Sequence, residues 1–296
     1  MPKTIVITGA TSGLGRLTAN RLAGEGTHLV LAARSQAKAD ETRSEILTST
    51  PGARVDIVLA DLTRMADVRR LGTDLASTFD RIDVLVNNAG IHAFEQRTTA
   101  DGYPEMVAVN YLAPWLLTRT LLPTLIRTPG ARIVNVASEA SRRHGTLMLP
   151  ADLTDTVPFT ARQSSLLYGK TKLLGIMFTL ELARRLAGTG VTANCLDPGF
   201  NVTGLGRELR FAGQLERLLS VLRIGDPRRG ADLIAELAIA AEYEAVTGAY
   251  ITRKNNARIE PAPPGSDPIL QTQLWAQTEQ LLNDPIEGDV GKRPRI

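Results

Sequence analysis

The sequence predicts an α/β fold: a single-domain, Rossmann-type doubly wound parallel sheet with helices on both faces. Three observations lead there. Short β-branched runs alternate with longer stretches of helical apolar spacing, the pattern of repeated βαβ units. The runs are apolar on both faces, as in a sheet covered from both sides and unlike an antiparallel sandwich. Glycine and polar signals gather just after the runs, on the rim where open parallel sheets bind ligands. With 296 residues and 43% apolar composition, the chain suits one large domain, assigned to 1–254, with 255–296 as a C-terminal extension.

The first strand is "TIVIT" (4–8), followed by "TGATSGLG". Gly9 allows a tight turn, Gly13 opens the next helix without a Cβ to block a pyrophosphate, and Gly15 permits close helix packing. With Thr11, Ser12 and Leu14 they form a loop whose free N–H groups and positive helix end face a phosphate. After a strand and before a helix, this loop points to a dinucleotide. The second strand, "THLVLAA" (27–33), ends at Arg34. An NAD site needs an acid near Ala33 to accept from the ribose 2′-OH, whereas a guanidinium suits a 2′-phosphate. NADP(H) is therefore favoured over NAD(H), the plain alternative being a solvated arginine that opens a helix.

The third strand, "RVDIVLA" (54–60), leads to Asp61 and Leu62, and the fourth, "IDVLVN" (82–87), to "NNAG" with Asn88, Ala89 and Gly90. The fifth, "ARIVNVA" (131–137), is followed by Ser138. The sixth, "GVTANCL" (190–196), is followed by "DPG", which holds Pro198 and Gly199. Helices are expected at 14–25, 36–49, 64–78, 103–127 and 165–187. The last two are apolar on more than one side, which fits deep cover within the chain or a face shared with a second copy in a homodimer or homotetramer. "GAYIT" (248–252) is expected to close the sheet, and "PILQTQLWAQTEQLL" (268–282) to dock on the domain as a helix. The segment 200–224, rich in leucine and arginine, follows the Pro-Gly turn where a substrate lid would lie. Its spacing suits an apolar substrate, a lid that packs only on protein, or a surface that touches a membrane.

Composition excludes several classes. The net charge of +3 is dispersed, leaving no basic stripe for nucleic acid. His28, His92 and His144 lack metal-ligand spacing and read as structural or solvated, so no metal is expected. No stretch is long and apolar enough to span a bilayer, and no signal peptide is expected. The single cysteine, Cys195, sits in a core-strand context and cannot form an internal disulfide. A cytoplasmic location is the expectation.

"TGATSGLG", "NNAG", "VNYL" with Asn110, "IVNVAS" ending at Ser138, "YGKTK" with Tyr168 and Lys172, and "DPG" occur in this order. Together they resemble the short-chain dehydrogenase/reductase family from Thr4 to about Thr252. The wide gap between Ser138 and Tyr168, "DGYPEMVAVNYLAPWLLT" and the late "LWAQTEQLL" are similar to its retinol dehydrogenase branch. Asp197 departs from that branch's histidine before Pro-Gly, Ala137 from a frequent serine, and "GKTKLLG" from "SKLAN".

The resemblance implies hydride exchange between a nicotinamide and a small-molecule carbonyl or alcohol, with Tyr168 moving the proton. A free tyrosine is only about one part in a thousand ionised at neutral pH. Lys172, one helical turn on, and an oxidised nicotinamide are expected to favour the tyrosinate. By the same resemblance Ser138 donates to the substrate oxygen, and Asn110 marks a helix irregularity that holds a water near the lysine. Pro198, Gly199 and Thr203 shape the nicotinamide end, and Asp61 with Leu62 meets adenine. Two alternatives share the fold: a cofactor-binding sensor without turnover, and an epimerase, dehydratase or double-bond reductase.

Overall fold

The computed structural model describes residues 2–199 and 226–283; Thr203 and the segment 200–224 expected as a lid lie outside the described residues. Eight strands form one sheet in the order β3-β2-β1-β4-β5-β6-β7-β8. They are β1 (Lys3–Thr8), β2 (Thr27–Ala33), β3 (Arg54–Leu59), β4 (Val84–Asn87), β5 (Arg132–Val136), β6 (Thr192–Asp197), β7 (Tyr250–Thr252) and β8 (Ala257–Arg258). Among the described residues, β1 to β7 pair in parallel and β8 runs antiparallel. Strand order reverses at β1, so the β1–β4 crevice is the switch point of a doubly wound sheet.

The helices are α1 (Gly13–Leu22), α2 (Gln36–Ser49), α3 (Met65–Thr78), α4 (Glu105–Val107), α5 (Ala113–Arg127), α6 (Ala161–Arg185), α7 (Pro227–Ile239) and α8 (Pro268–Asn283). Side chains alternate along each strand. Val6, Val30 and Leu85 enter one core with α3, α5 and α6, while Ile5, Ile7, Leu29 and Leu31 enter the other with α1 and α7. β3 departs from the expectation of apolar cover on both faces: it is the edge strand, and Arg54, Asp56 and Leu59 are exposed.

α8 packs on the domain and covers the second apolar side of α5 and α6. Trp275 lies 5.2 Å from Trp115 and 5.9 Å from Phe178 between ring centroids. The Arg185 guanidinium sits 4.5 Å over the Trp275 ring, and Tyr111 shares a 2.6 Å hydrogen bond with Thr278.

Three local differences from the sequence expectation have physical reasons. "GAYIT" does not close the sheet, because a turn after Thr252, with Asn256 at φ 54°, returns the chain as β8. α6 begins at Ala161 rather than Ser165, since Thr160 and Gln163 form a reciprocal capping box that extends it by a turn. The helix expected over 103–127 is interrupted by a π-turn at Ala108–Leu112, which re-aims Asn110. Among the described residues, no helix is long and apolar enough to cross a membrane.

Candidate active site

The strand ends converge on one open cleft of about 680 Å³. Its floor is the glycine loop. Gly9 and Gly13 hold φ of 67° and 49°, a left-handed conformation that side chains disfavour. A Cβ on Gly9 would meet Ala89 Cα at 2.9 Å. Gly15 is tighter: a Cβ there would lie 2.3 Å from the Gly9 carbonyl oxygen and 2.4 Å from Asn88 Nδ2. Ser12 precedes α1 with extended backbone and leaves the first-turn N–H groups without a side-chain cap, and no acid sits in that turn. Thr11, Ser12, Gly13 and Leu14 therefore present a positive helix end to the cleft.

The loop is tied to the strand β4 exit. Asn88 Nδ2 donates to the carbonyls of Thr8 at 2.9 Å and Gly9 at 3.3 Å. In return Thr8 Oγ1 accepts the N–H groups of Asn88 and Ala89 at 3.0 and 3.1 Å. Gly90 passes close behind, where a Cβ would stand 3.4 Å from both Asn110 Oδ1 and Lys172 Nζ.

At one end of the cleft stand Arg34, Ser35 and Lys38, with both cations exposed. Asp61 and Leu62 line the same cleft, but the Asp61 carboxylate is engaged locally, accepting from Thr63 N–H at 3.0 Å and Thr63 Oγ1 at 2.8 Å. At the other end stand Ser138, Tyr168, Lys172, Pro198 and Gly199. Ser138 lies two residues past β5, and its Oγ accepts the Ala140 N–H at 3.1 Å, capping the 3-10 turn Glu139–Arg143. The serine thus caps a turn while lining the cleft. Gly169 lets α6 pack against that turn: a Cβ would lie 2.5 Å from the carbonyl oxygens of Ala140 and Arg143.

Lys172 is buried and donates to the Val136 carbonyl at 2.9 Å. Its Nζ lies 5.6 Å from the Tyr168 ring centroid. Asn110 does not line the cleft itself. It exchanges two 2.8 Å hydrogen bonds with the Ile91 peptide and donates to Thr171 Oγ1 at 3.0 Å. Every other sequence-predicted site residue within the described region lines the cleft.

Two findings go beyond or against the sequence reading. His92, read as structural or solvated, lines the cleft with its ring stacked on Tyr168, centroids 4.6 Å apart. Its Nε2 is 2.7 Å from Ser164 Oγ; the available signal was its place two residues past "NNAG". The second concerns acidity. The Lys172 charge was expected to make Tyr168 more acidic, yet in the protein alone burial raises the Tyr168 pKa, and the Asp197 carboxylate raises it further. Burial also lowers Lys172 to about 8, against the pull of Asp197. Desolvation penalises both charged forms, so the ground state is a neutral phenol beside a weakly held ammonium.

The family described as short chain dehydrogenase matches residues 3–150. The chain is similar to retinol dehydrogenase 13 of Homo sapiens, 32% identical over 286 residues, covering 95% of this chain and 84% of that protein. It is also similar to polyprenol dehydrogenase of Homo sapiens, 33% identical over 286 residues, covering 94% and 84%. Among solved structures it is similar to a short chain dehydrogenase from Burkholderia cenocepacia J2315 in complex with NADP. That likeness has a TM-score of 0.65 and 26% identity, and covers 85% of this chain and 95% of that one.

Proposed function

The chain belongs to the short-chain dehydrogenase family, and from that premise we propose that it interconverts carbonyl and alcohol groups of an apolar small molecule, with NADP(H) preferred over NAD(H). The observation that carries this reading is the shared cleft: the glycine loop, Ser138, Tyr168 and Lys172 all line it, with Lys172 Nζ 5.6 Å from the Tyr168 ring.

The residues fit a dinucleotide. Gly9 and Gly13 hold left-handed backbone that side chains disfavour, and the uncapped α1 N-terminus faces the cleft beside them. Arg34, with Lys38 nearby, supplies the cationic end suited to a 2′-phosphate. When bound, the nicotinamide supplies or accepts the hydride. Tyr168 gives its phenolic proton to the substrate oxygen in reduction and takes it back in oxidation. A phenol kept protonated by burial suits the reductive direction. Ser138 Oγ accepts from Ala140 N–H, which leaves its own proton to stabilise charge growing on the substrate oxygen. Lys172 is held by Val136 so that its ammonium stays under the tyrosine. Asn110 fixes the Ile91 peptide and Thr171, and thereby the turn of α6 that carries Tyr168.

The polyprenol and retinol relatives by name act on apolar alcohols, which directs the first choice of substrates. The test is a panel of apolar aldehydes, ketones and alcohols run with NADPH and NADH, on the purified protein and on Tyr168→Phe. Turnover with NADPH that falls by about two to four orders of magnitude in the variant, with NADPH binding kept, supports the reading. Tight NADPH binding with no hydride transfer to any panel member would refute it.

A further inference from the structure

Asp197 closes β6 with its side chain buried at the cleft end of the sheet, and neither the dinucleotide cradle nor the proton-handling set described above uses it. Its Oδ1 accepts the N–H of Glu139, the residue after Ser138, at 2.9 Å. The same carboxylate takes the Gly199 N–H, and its peptide oxygen accepts the Arg253 N–H at 3.0 Å. One side chain thus joins the turn that carries Ser138 to the Pro198–Gly199 turn, two walls of the same cleft.

Titratable groups surround it from several elements. Glu139 and Arg142 come from the turn after β5, Tyr168 and Lys172 from α6, Cys195 from β6 itself, Tyr250 from β7, and Arg253 from the turn after β7. Gly199, at φ 76°, lies so close to Arg253 that a Cβ there would be 2.3 Å from Nε. The guanidinium is therefore packed behind the Pro-Gly turn, opposite the carboxylate it partly neutralises. Burial raises the Asp197 pKa, and the Glu139 and Gly199 N–H groups with Arg253 pull it back down, so the carboxylate persists there only with those hydrogen bonds met.

We propose that Asp197 is a positioning residue of the reaction, whose buried carboxylate clamps the Ser138 and Pro198–Gly199 turns together and lends its negative charge to the end of the cleft that holds Tyr168 and Lys172. The sign follows from elementary electrostatics. A fixed negative charge favours the protonated form of each neighbour, so its removal releases protons from the pair at lower pH. Lys172 gives up its proton first, because burial has already brought it down to about 8 while Tyr168 is moved up. Reduction needs both groups protonated. Its rate therefore falls as pH rises through the Lys172 pKa, and Asp197 holds that fall at higher pH.

The kinetic part rests on the oxidoreductase reading; the titration part does not. The direct measurement is the pH titration of Lys172 by NMR in lysine-labelled full-length protein, with its signal assigned by its loss in Lys172→Met. Asp197→Asn keeps an oxygen acceptor for Glu139 and removes the charge; the Lys172 midpoint is expected to drop by about one unit, a tenfold change in the neutral fraction at fixed pH. Asp197→Ser likewise removes the charge and is expected to lower the midpoint, whereas Asp197→Glu keeps a carboxylate and is expected to leave the midpoint near that of the parent. A drop in the neutral variants with none in Asp197→Glu is what a merely structural role would not produce. An unchanged midpoint in Asp197→Asn overturns the proposal, and Asp197→Ser carries the test alone should Asp197→Asn fail to fold. In carbonyl reduction, the alkaline limb of kcat/KM is expected to move to lower pH in Asp197→Asn with the titration. If the unaltered protein turns over nothing in the panel, the oxidoreductase reading fails while the Lys172 titration still judges Asp197.

Discussion

Replacing Gly15 by alanine tests how the dinucleotide loop is built, and its cost can be worked from the contacts. The new methyl would stand 2.3 Å from the Gly9 carbonyl oxygen and 2.4 Å from Asn88 Nδ2, so each neighbour must retreat by roughly 1 Å to reach ordinary contact. The Asn88 amide cannot retreat freely, because it holds the carbonyls of Thr8 and Gly9 at 2.9 and 3.3 Å. Losing two such bonds costs about 2 kcal/mol, and overpacking adds about 1–3 kcal/mol. Against this, alanine recovers about 1 kcal/mol over glycine within a helix. The net destabilisation is about 2–4 kcal/mol, a fall in Tm of about 3–7 °C for a chain of this size. Thermal and urea unfolding with and without NADPH measure it, and NADPH affinity should fall as the Gly9 carbonyl shifts. A variant within about 0.5 kcal/mol of the parent, with unchanged NADPH affinity, would refute the contact reasoning, since it would mean the loop yields without loss.

Two further expectations follow from other parts of the structure. Arg34→Ala should raise the KM for NADPH by about tenfold or more while leaving that for NADH nearly unchanged, the loss expected of a charge-assisted phosphate contact; equal effects on both would reject the 2′-phosphate role. Trp275→Ala removes a buried ring packed on Trp115, Phe178 and Arg185 and should cost about 3–5 kcal/mol in urea unfolding. Because Trp275 does not line the cleft, NADPH affinity should be kept; a stability change under about 1 kcal/mol would show that α8 docks without contributing to the core.

The sheet was legible because β-branched runs and helical spacings alternate over the chain, and β2 and α2 fall on their expected bounds. The glycine loop was legible because Gly9 and Gly13 need backbone angles that few other residues adopt, and that requirement leaves a mark in sequence. What periodicity could not show were features made by only a few residues: β8 has two, and the π-turn around Asn110 has five. The early start of α6 was written in Thr160 and Gln163 as a capping signature. His92 could have been placed on the rim from its position after "NNAG", but its stacking on Tyr168 joins residues 76 apart and exists only in the fold. The direction of the Tyr168 shift was illegible for the same reason. Spacing gives the lysine four residues on, whereas desolvation depends on everything packed around both groups.

That last point decides how the cleft must work. The sequence reading has Lys172 and an oxidised nicotinamide favour the tyrosinate, yet Tyr168 and Lys172 are each buried, and burial acts against both ions. Burial leaves Tyr168 a neutral phenol and Lys172 a weakly held ammonium, so charge alone orients neither firmly. The fold adds geometry to that charge. Asn88 and Thr8 fix the loop to the β4 exit, Ile91 and Asn110 grip each other, Asn110 donates to Thr171, and Thr171 Oγ1 donates at 2.8 Å to the Tyr168 carbonyl. From the α1 cradle to the α6 tyrosine, the successive positions are held by side chains whose hydrogen bonds are internal to the protein. Such a scaffold lets a proton donor wait uncharged at a set place, at low reorganisation cost when charge develops on the substrate oxygen.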